Sequence, residues 1–458
     1  MTQEAQEPVS LLVEGDWVLT QNDDRQIFSP GAVAIRGAEI AAVGPPAELK
    51  RRYEPARTLS YPQGLILPGL INAHTHAAMS LFRGLADDLP LEEWLNNYIF
   101  PAERCLTGEY VYWGTKLSVA EMLLSGATTF CDMYLFADAV AQAAAETGIR
   151  AVVGEVLYDF PSPNYGLPEA GLRFSENLCQ TWQGHPLVQV AIQPHAVYTC
   201  SPDLLQKCQA LADKYNTRLI IHLSETSTEV ADCQTRYGAT PVAHLHRLGL
   251  LTSRLVADHA VVLTEADMEL LAASGAGVAH CPESNMKLAS GVAPVAELLR
   301  RGVPVGLGTD GCASNNNLDL FQEMDTAAKL QKVRHLDPTL LPATAALDLA
   351  TRGGARVLGL EREIGALAPG RCADLVVVDL DQPHLTPLYD PYSQLVYAAS
   401  GADVQTVVVH GQVLVQDRVL LSFDLEETLA RARDLASGIR ARIPHAKPRC
   451  YAARNQPG

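Results

Sequence analysis

His74, Thr75 and His76 follow the apolar run LILPGLINA. Residues two apart on a strand project to the same side, so the imidazoles of an H-x-H at a strand end can share one metal ion. Two imidazoles alone do not make a site, and a structural pair is the rival reading. The balance shifts because His195, His222, His259 and Asp310 also fall at the ends of apolar runs. A catalytic divalent cation takes three or four nitrogen or oxygen ligands and keeps a position for water. His74, His76, His222 and Asp310 would supply that set, with His259 behind it. Taken singly, His195 and His259 would read as ordinary core or surface histidines.

These residues need a scaffold that brings distant strand ends together. Short apolar runs recur over 64–310: Leu65 to Ala73, Thr128 to Met133, Arg150 to Leu157, Leu187 to His195, Arg218 to Glu225, Leu255 to Val262, Ala276 to His280, and Val303 to Asp310. Stretches of helical spacing separate them, such as Glu109 to Leu124, which stops at Gly126, and the Ser201-Pro202-Asp203 helix start. Near-continuous apolar strands suit a parallel sheet buried on both faces, and eight of them predict an α/β protein built on a (β/α)8 TIM-like barrel. Its strands deliver their C-terminal ends to one mouth. The fourth run, LVQVAIQPH, ends in His195 and not in a lysine that could be carboxylated to bridge two ions, which favours one metal.

The flanks read differently. Ser10 to Thr20, Gly31 to Gly44, Arg371 to Asp381 and Asp403 to Arg418 cluster β-formers around turn residues. They predict a small β-sandwich assembled from both chain ends, 9–64 with 365–421, around a barrel over 65–364. Leu425 to Arg442 reads as an amphipathic helix and Pro444 to Gly458 as a surface tail, together spanning 422–458.

Composition narrows the function. With 35 Lys and Arg against 52 Asp and Glu, the formal net charge of −17 repels phosphate backbones and anionic lipid. Nucleic-acid and membrane-surface roles are disfavoured. The 10 cysteines form no C-x-x-C pair and are expected as reduced, mostly buried thiols. The stretch from Met1 to Ser10 lacks a signal-peptide pattern, and no apolar run approaches the roughly 20 residues of a membrane helix. A cytoplasmic enzyme is the expectation.

Two motifs are set aside. Gly306 to Gly311 satisfies G-x-G-x-x-G, yet Asp319 to Lys332 reads as helix where a dinucleotide fold needs a strand with an acidic end. Ser284-Asn285-Met286-Lys287 fits S-x-x-K but lacks its companion S-D-N and K-T-G elements, and reads as the loop after the seventh strand.

The segments PGLINAHTHAAMSLFRGLADDLPLEEWL, FPAE, QPHAVYTCSP, IIHLSET, HCPESNMKLASG and GLGTDG, in that order, resemble the amidohydrolase superfamily, in particular its 5′-methylthioadenosine/S-adenosylhomocysteine deaminase family. The likeness runs over essentially the whole chain. It implies metal ligation by His74, His76, His222 and Asp310, a proton shuttle at Glu225, and substrate contacts from Glu103 and His195. It places His259 near the attacking water, with the departure that Asp258-His259-Ala260 stands where the family often has A-H-C. Read without the likeness, Glu103 is a helix-start carboxylate and Glu225 a turn cap.

The resemblance further implies hydrolytic deamination of an adenine ring. Water is activated near pH 7 by one divalent cation, taken as Zn2+ with Fe2+ or Mn2+ as alternatives. Glu225 carries its proton to ring N1, and Asp310 and His259 hold the attacking oxygen. The expected substrate is a free nucleoside, methylthioadenosine or adenosine ahead of S-adenosylhomocysteine, because only Arg150 and Arg173 offer themselves for an amino-acid carboxylate. Leu81, Phe82, Leu89 and Trp94 are candidates for the 5′ group. A dimer or tetramer is implied. Two alternatives stand beside this reading: a hydrolase of another ring, guanine or a triazine, and a metal-free binding protein on the same barrel.

Overall fold

The computed structural model describes residues 6–89 and 91–442; the tail expected over 444–458, with Cys450, lies outside them. The barrel strands are β1 (Leu70–Thr75), β2 (Ala127–Tyr134), β3 (Arg150–Leu157), β4 in two pieces (Val188–Val190 and Gln193–Pro194), β5 (Leu219–Leu223), β6 (Leu255–His259), β7 (Gly277–His280) and β8 (Val305–Leu307). Neighbours pair in parallel from β1 to β4 and from β5 to β8. Parallel bridges from Ile192 to Leu219 and from Ala196 to His222 join β4 to β5. Every residue of β2 and β3 is buried, as expected of strands covered on both faces.

The seam between β8 and β1 closes through side chains. The Asn72 amide donates to Thr309 Oγ1 at 2.7 Å and accepts from Thr309 N at 3.0 Å, while Asp310 N donates to the His74 carbonyl at 3.0 Å. A Cβ on Gly308 would lie 2.8 Å from His74 backbone atoms, so only glycine lets the two strand ends approach this closely.

The run from Leu65 to Ala73, expected as one barrel strand, is two. Thr58–Pro68 belongs to the sheet of the chain ends, where it pairs antiparallel with Leu375–Asp379 and parallel with Leu11–Leu19. The chain turns at Gly69, where a Cβ would collide with Thr128 Oγ1 at 2.1 Å, and enters the barrel at Leu70. An unbroken apolar run hides such a break, because both halves are buried. The end sheet also holds Gly31–Arg36, Glu39–Gly44, Val404–Val409 and Gln412–Gln416. Its apolar cluster draws Val13, Val33 and Ile35 from one end and Leu375, Val377 and Val408 from the other.

Barrel and end sheet are tied by a buried ion pair. Arg150, at the start of β3, reaches Asp374 at 2.9 and 3.3 Å, and Asp374 also accepts from His410 N at 2.7 Å. The helices fall where the apolar spacing put them, at Gly108–Leu124, Pro202–Tyr215, Leu320–His335 and Leu425–Arg442. Ser201 caps its helix by accepting from Leu204 N. The nine cysteines among the described residues are unpaired. Among those residues no helix is long and apolar enough to cross a membrane.

Candidate active site

The C-terminal ends of β1, β5, β6 and β8 bring four histidines and an aspartate together. His74 and His76 project to the same side of β1, with ring centroids 4.9 Å apart. His222 on β5 lies 5.0 Å from His74 and 5.3 Å from His76, and His259 on β6 lies 5.3 Å from His74. Asp310 follows β8 with φ 62°, a left-handed turn that folds its carboxylate back over β1.

Each imidazole is oriented by what its Nδ1 touches. His76 Nδ1 faces the Met133 carbonyl, His222 Nδ1 faces the His195 carbonyl at 3.0 Å, and His74 Nδ1 lies 3.0 Å from Asp258 Oδ2. The three Nε2 atoms are thereby free to face a common centre. His76 Nε2 lies 3.4 Å from His222 Nε2 and 3.2 Å from Asp310 Oδ1, which is 3.6 Å from His74 Nε2. Ligands about 2.0–2.1 Å from a tetrahedral ion stand about 3.3–3.4 Å from one another, close to these three separations; His74, His76 and Asp310 form one candidate metal-ligating group, and His74, His222 and His259 another. Neither His74 nitrogen makes a regular hydrogen bond, although both are buried. His259 Nδ1 lies 3.0 Å from the Asn285 amide nitrogen, and His259 also forms a candidate metal-ligating group with His74 and His222.

The electrostatics agree with a place for positive charge. Burial opposes a charge on His74, but Asp258 and then Asp310 outweigh it and hold the imidazole up to about 10. His76 is raised too, against burial, chiefly by Asp310. Burial would push the Asp310 carboxyl up, yet His74 and His76 pull it well below the usual carboxylate range. Burial and the neighbouring imidazoles depress His222 strongly. A bound cation would supply positive charge at the same place.

The cluster forms the floor of a cleft of about 840 Å³, part of it open to solvent. Glu225 lines the cleft beside His222, His259 and Asp310. Its loop is set by Glu229, which accepts from Ser224 N at 2.9 Å and Glu225 N at 2.7 Å. Glu103 lines another wall with Trp94, Leu95, Ile99 and Phe100, from a helical segment whose middle turn, Leu95–Ile99, is π-helical. Burial pushes its carboxyl up to about 7, against the pull of the Tyr134 hydroxyl. His195, lowered to about 4 by burial, is held through Nδ1 by Thr199 Oγ1 at 2.9 Å. Tyr158 and Phe160 stack at 3.9 Å along the same cleft, and Tyr198 packs edge-on against His195.

Seven of the eight residues singled out from the sequence, His76, Glu103, His195, His222, Glu225, His259 and Asp310, line one cleft, and His74 is buried against His76, His222 and His259. Other expectations move. Leu81 and Phe82 are buried in the core, and Leu81, Phe82 and Leu89 are not among the cleft's lining residues; only Trp94 of that group is. Arg150 is consumed by Asp374, and Arg173 is exposed and away from the cleft. Several polar neighbours were missed. Ser284 and Ser314 donate to Asp310 Oδ2 at 2.6 and 2.9 Å, and Asp132 accepts from Ala77 N beside the H-x-H turn. Asp132 lies near the end of an apolar run, a signal that could have flagged it; the two serines carry none.

Residues 65–414 match the Amidohydrolase family, and residues 31–53 match a bacterial imidazolonepropionase-like composite domain. The chain is 59% identical to a 5-methylthioadenosine/S-adenosylhomocysteine deaminase of Syntrophobacter fumaroxidans over 94% of this chain and 98% of that one. Among solved structures, an adenosine deaminase of Xanthomonas campestris with bound zinc superposes with TM-score 0.94 and 42% identity, covering 95% of this chain and 100% of that one. A zinc complex of atrazine chlorohydrolase from Arthrobacter aurescens gives TM-score 0.86 and 27% identity over 93% and 100%. With its barrel, its His-rich candidate metal site and these relatives, the chain belongs to the amidohydrolase family, among the 5-methylthioadenosine/S-adenosylhomocysteine deaminases.

Proposed function

We propose that this protein hydrolytically deaminates the adenine ring of 5′-methylthioadenosine and adenosine, releasing ammonia and the inosine analogue. One observation carries the reading: three imidazole Nε2 atoms and Asp310, 3.2 to 3.6 Å apart where measured, form the floor of a cleft that also holds Glu225, Glu103 and His195. His74, His76, His222 and Asp310 would hold one divalent cation, with zinc the first choice because it is the ion named in both structural relatives. When bound, such a cation brings the deprotonation of water within reach of neutral pH.

The chain's own groups manage the remaining problems. Glu225 takes the proton of the attacking water and delivers it to ring N1, which makes C6 electrophilic and spares the ring a negative charge. The oxygen adds at C6; Glu225 then carries the remaining proton of that oxygen to the amine, which leaves as ammonia as C6 becomes a carbonyl. His259 donates to the attacking oxygen, and Asp310 orients it from the other side. Glu103 and His195 bind the ribose hydroxyls, which favours nucleosides over free adenine. The apolar and aromatic wall of Trp94, Phe100, Tyr158 and Phe160 suits a methylthio group. Among the described residues no Lys or Arg lines the cleft, so none of them pairs with the carboxylate of S-adenosylhomocysteine, which ranks behind the smaller nucleosides.

The oligomeric state, expected as a dimer or tetramer, is read by light scattering, and a cytoplasmic location by cell fractionation. The deciding experiment is ammonia release from methylthioadenosine, S-adenosylhomocysteine, adenosine, guanine and a chlorotriazine in parallel, with elemental analysis of the same sample. Turnover of guanine or the triazine with none of the adenosines would overturn the proposal.

A further inference from the structure

Asp258 is a carboxylate with no exposed surface, one residue before His259 on β6. Successive residues of a regular strand face opposite sides. Here His259 adopts φ 70° and Ala260 φ 48°, so the strand ends in two left-handed residues, and Asp258 and His259 both reach His74. Non-glycine residues pay for that conformation, and two in succession mark a geometry that the surroundings impose.

Asp258 Oδ2 lies 3.0 Å from His74 Nδ1, an ion-pair approach without regular hydrogen-bond alignment, and neither carboxylate oxygen has a hydrogen-bonding partner among the described residues. A buried carboxylate with so little support is costly unless positive charge stands close by. The sources of such charge are the His74 ring and whatever cation its Nε2 faces. Among the described residues no arginine or lysine lines the adjoining cleft.

We propose that Asp258 is a positioning residue for the metal centre: it accepts the Nδ1 proton of His74, fixes that ring with Nε2 toward the cation, and strengthens its donation. The inference rests on the metal reading above and goes beyond it, since Asp258 is not itself a ligand. A carboxylate behind a ligating imidazole holds the tautomer and makes the ring a better base, and loss of such a partner weakens metal binding by about 10- to 100-fold.

The test compares wild type, Asp258→Asn and Asp258→Ala as purified full-length protein. Zinc retention is measured by elemental analysis across a graded chelator series, alongside kcat and KM for methylthioadenosine at saturating zinc and the urea unfolding midpoint of each protein. The expected result is zinc affinity weaker by about 10- to 100-fold in both variants, with excess zinc restoring much of kcat and little change in KM. Asp258→Asn keeps the shape and an acceptor oxygen, so it carries the test if Asp258→Ala does not fold. Zinc affinity within twofold of wild type in the folded variants, with only a lower unfolding midpoint, would reduce Asp258 to packing and overturn the inference. A wild type that binds no divalent ion would overturn the metal reading and this inference with it.

Discussion

Replacing Glu103 by Gln tests the cleft as a nucleoside site through its pH dependence. Burial raises the Glu103 carboxyl to about 7, close to neutral pH. Ionised, it would accept hydrogen bonds from ribose hydroxyls in the proposed complex; protonated, it would lose charge and acceptor capacity. The sign follows: binding through Glu103 is present above about pH 7 and lost below it. With that midpoint the ionised fraction falls from about 0.9 at pH 8 to about 0.09 at pH 6, so kcat/KM for adenosine drops roughly tenfold between them. In Glu103→Gln that acid limb disappears, and the plateau falls by the worth of a hydrogen bond to a charged group, about 1.5–3 kcal/mol or roughly 10- to 150-fold. The assay is initial-rate ammonia release from pH 5.5 to 8.5 for both proteins, with free adenine as the substrate that lacks the contact. An acid limb of the same position and depth in the variant, or in both substrates, would refute the role given to Glu103.

Other outcomes follow from the same geometry. If Glu225 moves protons and does not ligate, as proposed, Glu225→Gln should lower kcat by about 10²- to 10⁴-fold while bound metal stays near wild type by elemental analysis; loss of metal would make it a ligand. The kcat/KM for methylthioadenosine should exceed that for S-adenosylhomocysteine by about tenfold or more, one unpaired charge being the cost, and equal values would mean that a cation reaches the cleft from elsewhere. Arg150→Met strands the Asp374 carboxylate between barrel and end sheet, and should destabilise the fold by about 3–5 kcal/mol in urea unfolding. An unfolding midpoint within error of wild type would show that the pair does not tie the two together.

Much of this was legible in the sequence because barrels impose a pattern. Buried parallel strands need continuous apolar runs, and their C-terminal residues share one mouth, so His74, His76, His195, His222, His259 and Asp310 could be grouped from their strand-end positions, and the family resemblance supplied Glu103, Glu225 and a role for His195. The break at Gly69 was not legible, since apolar residues on both sides are buried for different reasons. Arg150 illustrates the same limit: a charge near a strand start carries no mark of whether it meets a substrate or Asp374.

By itself, then, the chain determined which residue types could do chemistry and which strand ends would carry them, because hydrophobic burial and chain direction are written locally. Only the tertiary structure decided which imidazole nitrogen faces the centre, that Asp258 stands behind His74, and that Ser284 and Ser314 brace Asp310. Those contacts join residues far apart in the chain, and depend on backbone turns such as the left-handed His259 and Asp310 that no side-chain pattern announces.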